Sequence, residues 1–556
     1  MSTNKQDRKR SASFLKQGSL LAMASLIVRF IGMIYRIPMA NILGDGNGIY
    51  AVAFDIYDII LIVSSYSLPL ALSKIISSQN SRREYRNIGK TFRLSLWFAI
   101  ASGGIFGTAL FVCAGLIETH IYPAYVGLRI PLRVLAPTIF IVALLGVFRG
   151  FFQGKNTMVP TAVSQVLEQI VNAVVSVAAA YLFMQWNIDS LERSAWGAAG
   201  GTLGTCLGAL TALVLVVFVY VAYRPVQKKW ERRDRSRRVY STSHIYRLLF
   251  LTILPIILSQ TVYQISGLID YYLFSDVMGA RGLDAKTISS LTGVYSSNYR
   301  TLTSVPIAIS TSIASSMIPS AVAAFTQKDT GQLRYNILSG IKFNMIIAFP
   351  CAMGYTVLGQ GIVQMLFPSM NYVLGGHLMM AGSAAIIFYA ISNVTGSALQ
   401  SIDKMRVPVI NSAISLVIHV ILVLALLHTT NLGIYVLIVG NITFPVVVGI
   451  LNIICLKRYI PGFHLKPLKT FFVPLSASLW MAIVVMLSYA LFGRLFRSFA
   501  SVYVANALSV LISLIFAVLV YFVVFLKLRG MTKEELYDFP MGRRLYLVAR
   551  KLKLMK

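Results

Sequence analysis

The chain has 556 residues, of which 57% are hydrophobic and only 12% are charged, whereas soluble domains carry roughly 25% charged residues. This composition excludes a soluble globular protein and predicts an integral membrane protein, because apolar runs of about 20 residues, long enough to cross a bilayer, recur along the chain. The net charge is +31, so the placement of the basic residues must decide between nucleic-acid binding and membrane topology.

Fourteen membrane-spanning helices are predicted. In chain order they cover residues 15–42, 50–77, 91–117, 126–152, 158–184, 195–222, 246–272, 288–323, 334–358, 372–402, 407–428, 431–456, 469–491 and 500–527. The first apolar segment follows a basic stretch, as in a signal peptide, but it contains Arg29 and Arg36 and lacks an A-x-A-like cleavage site. A retained first helix is therefore expected.

The basic residues set the predicted topology. With a cytoplasmic N-terminus, the cytoplasmic segments hold 38 Lys and Arg residues and the external loops hold 5. This ratio predicts a multi-pass membrane protein with both termini in the cytoplasm. The stretch RPVQKKWERRDRSRR (224–238) resembles a nucleic-acid patch in isolation, but its position favours a cytoplasmic connector, and no nucleic-acid partner is expected.

Two pairs of similar motifs indicate an internal duplication. SLPLALS begins at Ser67 and SVPIAIS at Ser304, while FQGKNTMVPTAVS begins at Phe152 and LQSIDKMRVPVINS at Leu399. The members of each pair are six predicted helices apart, so the two copies cross the membrane the same way up, related by a pseudo-twofold axis along the membrane normal. The predicted regions are an N-lobe (1–222), a connector (223–245), a C-lobe (246–456), an extra helix pair (457–527) and a basic cytoplasmic tail (528–556).

The predicted spans contain more bases than acids. The bases are Arg29, Arg36, Lys74, Arg129, Arg133, Arg300 and Lys342, and the acids are Asp55, Asp58, Glu168 and Asp270. An Arg at bilayer depth costs about 2.5–3.5 kcal/mol on insertion scales. An excess of three positive charges is hard to explain by internal pairing, so an anionic ligand in a water-filled cavity is predicted.

These charged residues divide by depth. Arg29, Arg36 and Arg300 lie inside their helices and are the candidate contacts for an anionic ligand, with an inward structural ion pair as the alternative. Lys74, Arg129 and Arg133 lie near helix ends, where snorkelling to the interface and secondary substrate contacts are both open, and Lys342 is expected to snorkel. The four acids could balance these bases or bind a coupling cation.

No metal or cofactor site is indicated. The cysteines are far apart, at Cys113, Cys206, Cys351 and Cys455, and form neither a CxxC motif nor a disulfide framework. The sequence contains no HExxH and no GxxxxGK[ST]. We therefore expect no cofactor, with membrane potential, Na⁺ or H⁺ as the energy source.

Three segments carry a family resemblance: IVRFIGMIYRIPMANILGDGNGIY, FRGFFQGKNTMVPTAVSQVLEQIVN and NYRTLTSVPIAISTSIASSMIPS. With the fourteen helices, they resemble the MurJ/SpoVB/YtgP-type proteins of the MOP (MATE-like) exporter superfamily. The resemblance implies a flippase for an undecaprenyl-diphosphate-linked cell-wall precursor. The first candidate is lipid II, the precursor of peptidoglycan, which implies a role in peptidoglycan synthesis and cell shape. The resemblance also implies a place in the bacterial plasma membrane, a cationic cavity lined by Arg29, Arg36 and Arg300, and a lipid-tail groove at helices 13 and 14.

Alternative functions remain open. Another lipid-linked glycan (teichoic, capsular or sporulation-related) would need the same phosphate chemistry, whereas a MATE-like cation or drug antiporter would favour an acidic cavity. A membrane enzyme is disfavoured, because the acids of the predicted external loops form no paired catalytic constellation, and a non-transporting scaffold is the remaining alternative. The expected partners are a lipid-linked oligosaccharide, membrane lipids and the cell-wall synthesis machinery.

Overall fold

The computed structural model describes residues 3–234, 236, 239–465, 467–537, 546–547 and 550–551. Throughout these ranges the protein is helical and has no β-strand. Eleven of the described helices are long and apolar enough to span a membrane, or twelve if a pair bent by 46° forms one span. The prediction of an all-α multi-pass membrane protein is therefore confirmed, while the number fourteen and the region boundaries stay predictions. Most of the tail (528–556) lies outside the described residues.

The chain forms two compact units that divide between Gly293 and Val294. The helices of the first unit are α1 (Thr3–Leu43), α2 (Asn47–Leu61), α3 (Leu68–Ser81), α4 (Tyr85–Leu116), α5 (Arg129–Gly154), α6 (Val159–Trp186), α7 (Arg193–Arg233), α8 (Thr242–Ala280) and α9 (Ala285–Val294). Met23–Ser81 is nearly continuous helix where the sequence predicts two spans. The break between α1 and α2 is the turn Gly44–Gly46, where Gly44 has φ +52°, a conformation that glycine tolerates.

A glycine stripe on α7 sets the contact between α6 and α7. Gly200, Gly204 and Gly208 are four residues apart, so they lie on one helix face. A Cβ atom at Gly204 would overlap Ser176 Oγ, and one at Gly208 would lie 2.6 Å from the Glu168 carbonyl oxygen. Ser176 Oγ also donates across the contact to the Gly201 carbonyl at 2.7 Å. The backbones of α6 and α7 therefore pack closely, which fixes the position of the α6 polar residues.

The motif SLPLALS packs on a second glycine stripe, on α5. A Cβ at Gly150 would lie 2.9 Å from the Pro69 carbonyl oxygen, and one at Gly154 would lie 2.6 Å from Ile76 Cβ. A π-helical segment, Ile62–Tyr66, leads into this motif. Local π-helices are rare and often mark functional bends.

The second unit contains the other copy of the motif. Its helices are α10 (Thr301–Thr326), α11 (Thr330–Leu366), α12 (Tyr372–Gly382), α13 (Ala385–Ser401), α14 (Arg406–Thr429), α15 (Tyr435–Tyr459), α16 (Val473–Arg497), α17 (Val502–Lys527) and α18 (Lys533–Tyr537). A π-helical segment, Tyr295–Arg300, precedes α10, which carries SVPIAIS. Tyr355 Oη of α11 donates to the Leu302 carbonyl at 3.0 Å and ties α11 to the start of α10.

Lys342 does not snorkel as the sequence predicts. Its Nζ lies 2.8 and 2.7 Å from the two carboxylate oxygens of Glu535, and the residue is only 8% exposed. The Thr532 backbone N–H donates to Glu535 Oε2 at 2.8 Å, and the Glu535 backbone N–H donates to Thr532 Oγ1 at 3.3 Å. This reciprocal pair forms a capping box at α18. The tail thus supplies a carboxylate that is 193 positions away from Lys342 in sequence. A count of the charged residues within the predicted spans could not reveal this partner.

The glycine stripe of α7 gives a stability prediction. Gly204→Ala should lower the free energy of unfolding by about 1–3 kcal/mol, because the new methyl group overlaps Ser176 and the α6 backbone. Gly104→Ala on α4 is the matched control, since nothing lies within 4 Å of its Cβ position, and alanine is the better helix former by roughly 0.8–1 kcal/mol. Thermal unfolding of each purified variant in detergent measures the effect of each substitution on stability. Equal melting temperatures of Gly204→Ala and Gly104→Ala would contradict close packing at Gly204.

Candidate functional site

Two arginines lie on one face of α1. Arg29 and Arg36 are seven residues apart, which is nearly two helical turns, and Arg29 is exposed while Arg36 is half-buried. Gly32 lies between them, and a Cβ there would lie 3.2 Å from Gln169 Nε2 on α6. The missing side chain at Gly32 lets α6 approach α1 at the level of the arginines.

Arg36 is held mainly by neighbours on α1 and α2. Its Cζ lies 5.8 Å from the centroid of the Phe54 ring, a cation–π arrangement. The Tyr35 side chain hydrogen-bonds to it, and Asp58 is close enough to stabilise its charge. The structure therefore brings together two of the residues predicted from the sequence, Arg36 and Asp58.

Asp55 has a different neighbour, although it stands only three residues from Asp58. Burial raises the pKa of the Tyr122 hydroxyl, and the charge of Asp55 adds to that increase, so this carboxylate lies near Tyr122. Tyr122 Oη donates to the Leu268 carbonyl of α8 at 3.1 Å. Asp270, two residues further along α8, is buried with 4% exposure. The predicted acids thus occupy separate surroundings.

Glu168 forms an ion pair with Arg149, which was counted among the 38 cytoplasmic bases although it lies within the predicted helix 126–152. Arg149 belongs to α5, and its Nη2 donates to Glu168 Oε2 at 2.7 Å. Its Nε donates to Ser164 Oγ at 3.0 Å. Arg149 therefore belongs with the bases of the membrane helices, and α5 continues to Gly154. Of the two roles that the sequence left open for Glu168, the structure shows charge balance.

The cations near helix ends differ in their contacts. Arg129 Nη1 and Nη2 each lie 2.7 Å from a carboxylate oxygen, of Glu118 and Glu192 respectively. Glu118 also accepts from the Gly127 and Arg129 backbone N–H groups, at 3.0 and 2.8 Å. Arg129 therefore ties the loop before α5 to the α6–α7 loop.

Arg133 and Lys74 have no such pairs among the described residues. Arg133 is exposed, with its Cζ 5.6 Å from the Phe111 ring centroid. Lys74 is exposed on α3. Both placements allow the long side chain to extend along apolar surface toward an interface.

In the second unit, Arg300 ends the π-helical segment and begins a polar face of α10. Ser304, Thr311 and Ser315 follow it at helical spacing and are exposed; we call them the hydroxyl face. Each hydroxyl donates to a carbonyl one turn earlier, at 2.6, 2.9 and 2.8 Å. Asn393 Nδ2 of α13 donates to Thr311 Oγ1 at 3.1 Å.

The hydroxyl face was missed by the sequence analysis, which considered only charged side chains. The spacing of Ser and Thr in SVPIAISTSIASS could have revealed it. Tyr299, next to Arg300, is fully buried, and its Oη donates to Asn441 Oδ1 at 2.9 Å. Since α15 thereby anchors the residue beside Arg300, the start of the hydroxyl face is fixed in the unit.

The ion pairs change the charge count within the spans. Arg129 and Lys342 are matched by carboxylates outside the predicted spans, and Glu168 is matched by Arg149. The remaining bases are Arg29, Arg36, Lys74, Arg133 and Arg300, and the remaining acids are Asp55, Asp58 and Asp270. The positive excess falls from three to two. Within the described ranges, no group of three or more His, Cys, Asp or Glu side chains could hold a metal ion.

The chain is similar to known proteins over much of its length. Residues 14–324 match the family described as polysaccharide biosynthesis protein. The lipid II flippase MurJ of Bacillus subtilis (strain 168) is 24% identical over 439 residues, covering 74% of this chain and 77% of the relative. Stage V sporulation protein B of the same organism is 22% identical over 450 residues, covering 81% and 84%.

Solved structures show the same fold. A lipid II flippase MurJ in an inward closed conformation superposes with a TM-score of 0.63 at 15% identity and covers 91% of this chain and 97% of its own. An inward-facing multidrug MATE transporter of the MOP superfamily gives a TM-score of 0.62 at 15% identity, covering 78% and 95%. The resemblance inferred from the sequence is therefore confirmed. With more than half of its residues matched, this multi-pass membrane protein belongs to the polysaccharide biosynthesis protein family.

Proposed function

We propose that this protein is a flippase that moves an undecaprenyl-diphosphate-linked cell-wall precursor from the inner to the outer leaflet. Lipid II is the first candidate for this precursor. The observation that carries the proposal is the pair Arg29 and Arg36 on one face of α1, one exposed and one beside Phe54. Guanidinium groups match phosphate oxygens with two parallel hydrogen bonds, and they do so most strongly where water is limited.

Two other arginines of the helices have carboxylate partners. Arg129 and Arg149 are engaged by carboxylates at 2.7 Å, which leaves their charge matched within the protein. The remaining excess of two positive charges suits a diphosphate, whose headgroup cannot cross hydrocarbon without compensation. A cation antiporter would instead need an excess of acids, so the alternative cargo is another lipid-linked glycan.

In the proposed mechanism, the headgroup enters from the cytoplasmic side and its diphosphate binds Arg29, Arg36 and Arg300. The sugars contact the hydroxyl face of α10, and the lipid tail remains in the membrane. The two lobes then rock to expose the headgroup outside. Both termini are proposed to be cytoplasmic, and membrane potential or a cation at Asp55, Asp58 or Asp270 biases the cycle. No cofactor takes part.

Replacement of the proposed phosphate ligands should abolish transport. Arg29→Ala, Arg36→Ala and Arg300→Ala should each weaken binding by about 1.5–3 kcal/mol, because a charge-assisted contact is lost, and should fail to rescue growth of a strain depleted of this protein. Arg82→Ala is the matched control, since that guanidinium is exposed at the end of α3, outside the predicted spans, and it should rescue. The measurement is complementation at equal membrane protein level, and rescue by all three variants would refute the roles.

Depletion should identify the cargo. If the protein transports lipid II, depletion causes lipid II to accumulate in the inner leaflet, which is measured by extracting lipid-linked precursors and testing their access to an external probe. Re-expression of the wild-type chain should reverse the accumulation. Accumulation of a teichoic or capsular precursor with normal lipid II would contradict the peptidoglycan assignment but keep the phosphate chemistry.

A further inference from the structure

The C-terminal helix pair contains a small cavity lined by both apolar and polar groups. Its volume is about 190 Å³, and Tyr489, Gly493, Arg494, Arg497, Asn506 and Ser509 line it; we call it the hairpin cavity. It lies within the second unit, between the end of α16 and the start of α17. Its lining residues include neither Arg300 nor any residue of the hydroxyl face of α10.

The floor of the hairpin cavity is fixed by hydrogen bonds. Tyr489 Oη donates to Asn506 Oδ1 at 2.6 Å, and Asn506 Nδ2 donates to the Gly361 carbonyl of α11 at 2.9 Å. Ser509 is fully buried. A Cβ at Gly493 would lie 3.9 Å from Ser509 Oγ, so the absence of a side chain at Gly493 leaves this space open.

Two guanidinium groups stand beside this floor. Arg494 and Arg497 are three residues apart, so they share a side of α16, and both are exposed. The sequence has no Asp or Glu between Asp403 and Glu534. Among the described residues, neither arginine forms an ion pair. Arginines in a last helical turn are favoured by the helix dipole, but this effect does not account for a cavity with a built polar floor.

The surroundings indicate which anion would bind. Leu487, Leu491, Leu495 and Phe499 are 61, 64, 52 and 68% exposed on the same helix end. Such large apolar side chains beside a basic cavity suit a ligand that has both an acyl chain and a negative headgroup. By the charge-based topology, Arg494 and Arg497 are two of the five basic residues in external loops, which places the hairpin cavity at the outer leaflet.

We infer that the hairpin cavity is a binding site for the phosphate group of a membrane lipid, with Arg494 and Arg497 as its ligands. Arginine matches two phosphate oxygens at once, and the apolar side chains of α16 face the acyl chains. The inference does not require the flippase activity proposed above, because it depends only on the second unit and on lipid binding.

The test is lipid binding by the delipidated full-length protein, measured by native mass spectrometry with short-chain phosphatidylglycerol. Arg494→Gln with Arg497→Gln should weaken binding about tenfold or more, as expected when charge-assisted hydrogen bonds are lost. Arg281→Gln with Lys286→Gln is the matched control, because it removes two positive charges from another predicted external loop. This control should bind like the wild type, and equal binding by all three proteins would overturn the inference.

A second variant separates the cavity from general surface charge. Gly493→Leu keeps both arginines but fills the space toward Ser509, so it should also weaken phosphatidylglycerol binding. Unchanged binding by Gly493→Leu would show that charge attracts lipid without the cavity, and would overturn the site.

Inorganic phosphate and short-chain phosphatidylcholine distinguish the ligand. If free phosphate displaces phosphatidylglycerol at equal concentration, the site binds a soluble anion and the lipid assignment fails. Unaltered elution volume and thermal unfolding show that each variant is folded.

Discussion

The structure depends on how positive charge is matched inside membrane helices. An arginine or lysine at bilayer depth is costly unless a carboxylate, an aromatic face, water or a ligand compensates it. Arg149 has Glu168, Arg129 has Glu118 and Glu192, and Lys342 has Glu535. In each pair the carboxylate comes from another helix or loop, so these pairs also hold the packing together.

Close backbone packing provides the frame for these charges. The glycine stripe of α5 lets α3 pack closely on α5, and the glycine stripe of α7 lets α6 pack closely on α7. Membrane helices associate through close packing of small residues, because the hydrophobic effect does not drive them together within lipid. The α7 stripe positions the helix that carries Glu168 and Gln169, and Gln169 in turn lies against Gly32 of α1. The placement of α6 beside the arginines of α1 therefore depends in part on the glycines of α7.

The duplicated motif has a structural counterpart in each unit. A π-helical segment precedes SLPLALS in the first unit and SVPIAIS in the second. Such segments leave a local irregularity in the hydrogen-bond ladder and are often found where a helix bends for function. Alternating access needs bends of this kind, so the two segments are natural hinges for the proposed cycle.

The sequence alone was sufficient for the membrane class, the all-helical fold, the family and the charged residues from which a site could be built, because hydropathy and charge are local properties of the chain. It could not show which charges are paired. Glu535 lies 193 residues from Lys342, and Arg149 was counted with the cytoplasmic bases, so neither partner entered the count of charges within the spans. The hydroxyl face of α10 and the hairpin cavity likewise became visible only in the folded chain. Exposure and cavities are produced when helices pack, and only the tertiary structure decides which polar side chains remain open to a ligand.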